Sequence, residues 1–261
     1  MPLLSTRECL FLVTLQRYNI NPLPVDLIFV IIGFVGGFLS GAVGCSGGLI
    51  IIPAITSLFG VEVAVPVSAV AQLMSNASKA IIGFRKICWR KVIQFSIFAL
   101  PFTALGAFGF AIAPRVTITR IICVCLVVFA FMTFMGKLRL PSSRPTMFIG
   151  GAITGSVNGL VGLYGPLSSS VFLTLNLSPV AFIATEGLAA ASMHIVRAYT
   201  YHALGFLGFS AIIHGVIIGA MMMLGNFVAM RLIRHINKKF YNKLVLGVII
   251  LVSVWLFITV K

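Results

Sequence analysis

Two basic side chains stand where a lipid-buried sequence should have none. Lys79 and Arg197 each fall inside a long apolar run, 118 residues apart. A charge inside a bilayer is costly, so one that persists there marks a pathway or a binding site. Two such cations, one facing each side of a central site, would draw a small anion in from either direction. The plainer alternative is snorkelling, since each lies within roughly 10 Å of a segment end at the helical rise of 1.5 Å per residue.

Other polar residues keep the same spacing. Asn76 and His194 precede the two cations by three residues each, and Gln72 lies one turn before Asn76. On a helix these positions share a face, so they would form a stripe toward a cavity. His194 could donate to an oxyanion or change charge near neutral pH. Each of these residues could equally make an interhelical hydrogen bond, worth about 0.6–2 kcal/mol. Glu186 is the one acid deep in an apolar run, eleven residues from Arg197. That separation puts the two out of reach along one helix face. Glu186 either pairs with Lys79 or carries a coupling proton, and both readings stand. His214, alone on its segment, reads as structural.

The elements that must position these residues follow from composition. The chain has 261 residues, 60% hydrophobic and 9% charged, where a soluble domain carries roughly 25% charged residues. There is too little polar surface to cover a water-facing globule. The formal charge is +15. In a soluble protein that would suggest nucleic-acid binding; here the cations sit in short loops and orient the chain in a membrane, so no nucleic-acid partner is expected. The five cysteines form no CxxC pair, and no disulfide or zinc framework is implied. No small-residue cleavage site follows the first 24 residues, so they do not read as a cleaved signal.

Apolar segments run about 27–59, 61–84, 92–113, 116–136, 148–177, 179–202, 207–230 and 244–260. About 20 residues cross a bilayer. The segments 27–59 and 148–177 are too long for one crossing, and each has a Gly-rich interruption. At the offset of 118, Gly33, Gly37, Gly41, Gly44 and Gly47 fall on Gly151, Gly155, Gly159, Gly162 and Gly165, and the register blurs beyond about residue 90. The expectation is an all-α integral membrane fold of eight segments in two four-segment repeats. The boundaries are an N-terminal segment 1–26, a first repeat 27–140, a linker 141–147 and a second repeat 148–261. If the first segment of each repeat is re-entrant, each half crosses three times and the halves are inverted. Loop cations then divide 12 to 5 between the faces, against 10 to 7 for full crossings. The positive-inside rule favours the inverted arrangement, with both termini outside the cytoplasm.

Backbone at membrane depth must be satisfied internally or line a cavity. A half-helix starting near Ser46–Leu49 would aim its positive dipole end at the bilayer centre, which suits an anion. Two such tips meeting at the midplane are a usual build of secondary transporters. The candidate tip residues are Cys45, Ser46, Gly47 and Gly48 in the first copy, and Tyr164 and Gly165 in the second. The four-residue spacing of Gly37/Gly41 and Gly155/Gly159 fits close helix packing instead.

The motif "GGFLSGAVGCSGGLIIIP" from Gly36, its copy "TGSVNGLVGLYGPLSSSV" from Thr154, and the basic loop Arg85-Lys86-Ile87-Cys88-Trp89-Arg90-Lys91 together resemble the TauE/SafE family. Cys45-Ser46 and Pro166 depart from the plainer glycine run of that pattern. The resemblance implies an eight-segment membrane fold that exports sulfite, sulfoacetate or a related small anion across the bacterial inner membrane. For such a substrate Cys45 has two readings: a thiol activated at a helix N-terminus, or a small residue fitting a crowded turn.

An alternating-access exporter is thus the expected function, driven by membrane potential or by protons through Glu186 or His194. An anion channel of similar build is the alternative. An intramembrane enzyme is less favoured, because Glu186, His194 and Cys45 make no catalytic set. No catalytic residue, metal or cofactor is expected. The partners are a small anion and the lipid bilayer, and a homodimer is compatible with the sequence.

Overall fold

The computed structural model describes residues 22–43, 47–135 and 141–232. Every regular element among them is helical. In order these are α1 (Pro22–Val43), α2 (Gly48–Phe59), α3 (Val61–Ile82), α4 (Trp89–Ile112), α5 (Arg115–Met135), α6 (Arg144–Val161), α7 (Gly165–Leu173), α8 (Pro179–Ala203) and α9 (Phe209–Leu232), with a 3-10 turn at Phe84–Lys86. The run 27–59 is divided into α1 and α2, and the run 148–177 into α6 and α7. The expected segment 244–260 and most of 1–26 lie outside the described residues. The stretch expected as a linker, 141–147, is partly helix. Ser143 caps α6 by accepting from the Thr146 amide at 3.3 Å, and a proline stands in the first turn, both helix-starting signals.

The second break has a local cause. Gly162 ends α6 in the left-handed region at φ 77, and its amide donates to the Asn158 carbonyl at 2.9 Å. Glycine adopts that conformation without a Cβ penalty. Pro166 then opens α7, where its missing N–H costs nothing. The resulting half-helices have 12 residues in α2 and 9 in α7. At about 1.5 Å per residue neither reaches across a bilayer.

Two helix pairs pack backbone to backbone. On α1, a Cβ added at Gly33 would stand 2.7 Å from the Ile218 oxygen of α9; at Gly37 it would meet the Met222 backbone, and at Gly41 the Asn226 backbone. On α6, a Cβ at Gly151, Gly155 or Gly159 would run into the carbonyl oxygens of Phe95, Ala99 and Thr103 of α4. These glycines therefore serve close helix approach. The three partner positions on α4 each stand 123 residues before their counterparts on α9. Between the two pairs, α3 and α8 cross in the middle of the molecule.

The outer helices carry their apolar side chains outward. Ile93, Ile97, Leu105, Phe108 and Ile112 of α4 are exposed, as are Val124, Val127 and Phe131 of α5 and Phe209, Leu224 and Phe227 of α9. In water such a belt would be an aggregation surface; in a bilayer it faces lipid. Helices 89–112, 180–203 and 209–229 are long and apolar enough to cross a membrane by length and composition.

Candidate functional site

The crossing of α3 and α8 carries a layer of polar side chains closed off from the surface. Gln72, Asn76 and Lys79 of α3 and Glu186, His194 and Arg197 of α8 are all buried. The crossing is tight because α8 offers Gly187. A Cβ there would stand 3.1 Å from both the Asn76 oxygen and Lys79 Cβ. That approach brings Glu186 beside Lys79.

Arg197 is 0% exposed and is held from two sides. Nη1 donates to Asn158 Oδ1 at 3.1 Å and to the Asn158 carbonyl at 3.3 Å. Nη2 donates to Ser68 Oγ at 2.8 Å and to the Val65 carbonyl at 3.3 Å. The Tyr201 ring lies 5.9 Å from Cζ, and its hydroxyl donates to the Gly159 carbonyl. The helix break makes the room: a Cβ on Gly162 would stand 2.5 Å from Nη1. Lys79 is 3% exposed and donates from Nζ to Ser40 Oγ at 2.7 Å. Neither cation snorkels to a helix end; both turn inward.

The remaining expected residues join these two. Asn76 donates to Tyr164 Oη at 2.6 Å, and the Tyr164 ring stands edge-on to His194, centroids 5.0 Å apart. Gln72 links the two helix breaks. Its Nε2 donates to the Gly162 carbonyl at 3.5 Å, and a Cβ on Gly48 would stand 2.7 Å from its Oε1. Glu186 accepts from Ser168 Oγ at 2.7 Å and lies within electrostatic reach of Lys79. His194 lies within reach of both cations. Gly165 is buried at the start of α7. Gly47 packs against α1 and α9, where a Cβ would meet Met222 Cε and the Gly36 carbonyl. Cys45 and Ser46 lie outside the described residues. His214, read as structural, packs on Phe29 and stands 3.7 Å from Asp26 Oδ1.

Several polar atoms of this layer are left over. Among the described residues, both ring nitrogens of His194, Arg197 Nε, Asn158 Nδ2 and Asn76 Oδ1 are buried without a hydrogen-bond partner. Buried polar groups are nearly always paired, and leaving one unpaired costs about 1–3 kcal/mol. Most of these atoms are donors beside a guanidinium, the equipment that an oxyanion calls for. No group of three or more His, Cys, Asp or Glu is gathered for a metal among the described residues.

Ser40, Ser68, Asn158 and Ser168 are additions that the sequence analysis did not single out. The repeat offset held the signal for three of them. Ser40 and Asn158 are 118 residues apart and hold Lys79 and Arg197, which are also 118 apart. Ser68 touches Arg197, while the residue 118 positions later is Glu186, beside Lys79.

The sequence pattern of the sulfite exporter TauE/SafE family matches residues 29–256. This chain belongs to that family. It is a multi-pass membrane protein of a transporter family, and the match spans both helix breaks, the α3–α8 crossing and each residue of the buried layer. The TauE/SafE assignment agrees with the resemblance carried by the two glycine motifs. No curated protein and no solved structure matches the chain.

Proposed function

We propose that the chain is a secondary transporter that exports a small sulfur-containing anion, sulfite or an organosulfonate, across the inner membrane by alternating access. The buried layer at Arg197 carries this proposal: a fully enclosed guanidinium, flanked by donors without partners, at the level of two helix breaks. An enclosed cation that persists at membrane depth is a site by default. Arg197, His194, Asn158 and Asn76 would bind the anion, Gln72 and Tyr164 would hold the layer together, and Glu186 and Lys79 would set its charge.

We further propose that the two halves are inverted repeats with re-entrant first segments. The packing supports this. The first helix of each half lies on the fourth helix of the other, α1 on α9 and α6 on α4, through glycines at equivalent positions. A two-fold axis in the membrane plane would generate that exchange, and rocking one unit against the other around a midplane site is how such transporters work.

Proteoliposomes containing the purified chain test this. Saturable sulfite efflux that responds to an imposed potential or pH gradient is the expected result, and the responsive gradient identifies the drive. Flux that rises linearly with concentration would point to a channel. No flux of any small anion would overturn the transporter assignment.

A further inference from the structure

We infer that the buried site takes a singly charged oxyanion, such as hydrogensulfite or a simple sulfonate, in preference to a doubly charged one such as sulfate or sulfoacetate. This rests on the proposal that Arg197 and its neighbours hold the anion.

The two repeats place equivalent cations in the layer but not equivalent partners. Opposite Lys79 stands Glu186; opposite Arg197, at the position 118 residues earlier, stands Ser68. The carboxylate of Glu186 therefore occupies the place by Lys79 that has no built-in anion in the other repeat. We take Lys79 and Glu186 as an ionised pair, Arg197 as a guanidinium and His194 as a neutral imidazole; all four are buried. Two cations and one carboxylate leave one positive charge uncompensated, and it belongs to Arg197.

That remainder sets the charge of the ligand. Taking a net charge out of water is expensive unless an opposite charge meets it. A monoanion brings the layer to neutrality. A dianion leaves one negative charge enclosed, with Glu186 already present to repel it. The unpartnered donors are few and neutral outside the guanidinium: Arg197 Nε, Asn158 Nδ2 and the His194 ring. They can share the oxygens of one sulfonate-like head group, but they bring no second full charge. Glu186 thus acts as a fixed counter-ion that selects against the second charge of the cargo.

Methanesulfonate and sulfate separate the two cases, because each keeps its charge across the working pH range and both present oxygens on sulfur. Binding of each to the purified full chain in nanodiscs is measured by calorimetry at one pH. The wild-type chain is expected to bind methanesulfonate at least about tenfold more tightly than sulfate. Glu186→Gln, which removes the negative charge, is expected to narrow or reverse that ratio. The double variant Lys79→Met with Glu186→Gln removes a matched pair and is expected to keep the wild-type ratio. It also provides the comparison if the single variant does not fold. Equal or tighter sulfate binding by the wild-type chain, or a ratio unmoved by Glu186→Gln, would overturn the charge selection. Binding of neither anion while liposome sulfite flux persists would overturn it alone. Binding of neither together with absent flux would overturn the transport proposal as well.

Discussion

Beside Lys79, the opposite helix carries Glu186; beside Arg197, the same place on the opposite helix carries Ser68. Each cation is also held by the first helix of its own half, Lys79 by Ser40 and Arg197 by Asn158. The scaffold of the two places is thus alike, and one carboxylate separates them. A repeat gives a membrane protein two equivalent positions at its centre. In the proposed function, that single side chain closes the place at Lys79 and leaves the one at Arg197 to an anion. Around Arg197 the hydrogen bonds come from neutral groups, which steady the guanidinium without cancelling its charge.

Four variants probe this inequality. The largest effect is expected from Arg197→Ala, which should weaken anion binding about a hundredfold, since truncating a buried hydrogen-bonded charge costs about 2–5 kcal/mol; calorimetry on the purified protein reads it. Next, Ser68→Glu copies the Lys79 arrangement onto Arg197. It should weaken binding by about tenfold or more, and unchanged affinity would mean that the carboxylate is not what separates the two places. His194→Phe keeps a ring of similar shape and removes two unpaired nitrogens. Affinity should fall several-fold, while the thermal midpoint should hold or rise, because buried unpaired polar atoms are lost. The smallest change in anion affinity is expected from Lys79→Met combined with Glu186→Gln, which leaves the net charge of the layer unchanged. A loss there as large as that from Arg197→Ala would make the two cations equal partners and erase the comparison.

Much of the fold was legible because glycine and proline punctuate it. The break at Gly162–Pro166 follows from residues that interrupt helices for steric reasons. The enclosed stripe of Gln72, Asn76 and Lys79 was legible because polar groups in apolar runs are few. Ser40, Ser68 and Asn158 were harder to see. A serine or asparagine in a membrane helix satisfies itself on nearby backbone as easily as on a distant cation, so residue type alone does not mark it. The repeat register faded past residue 90 for a geometric reason. Helix α8 has 25 residues against 22 in α3, and the partners of the glycine stripes are offset by 123 rather than 118. The spacing Gly37/Gly41 and Gly155/Gly159 pointed to close helix packing, and those four glycines do lie against the backbones of α9 and α4.

The glycine face of α1 also governs the order in which the molecule can be assembled. The groove around Gly37 is filled by Met222, a residue synthesised 185 positions later. The α6 groove, by contrast, finds α4 already made. On a ribosome releasing about 5–20 residues per second, α1 waits roughly ten to forty seconds for its closest neighbour. During that time its bare backbone stripe is open to any small-faced helix in the membrane. Insertion and final closure are therefore separate events in time, and of the two glycine-packed pairs α1–α9 closes after α6–α4 has both its helices made.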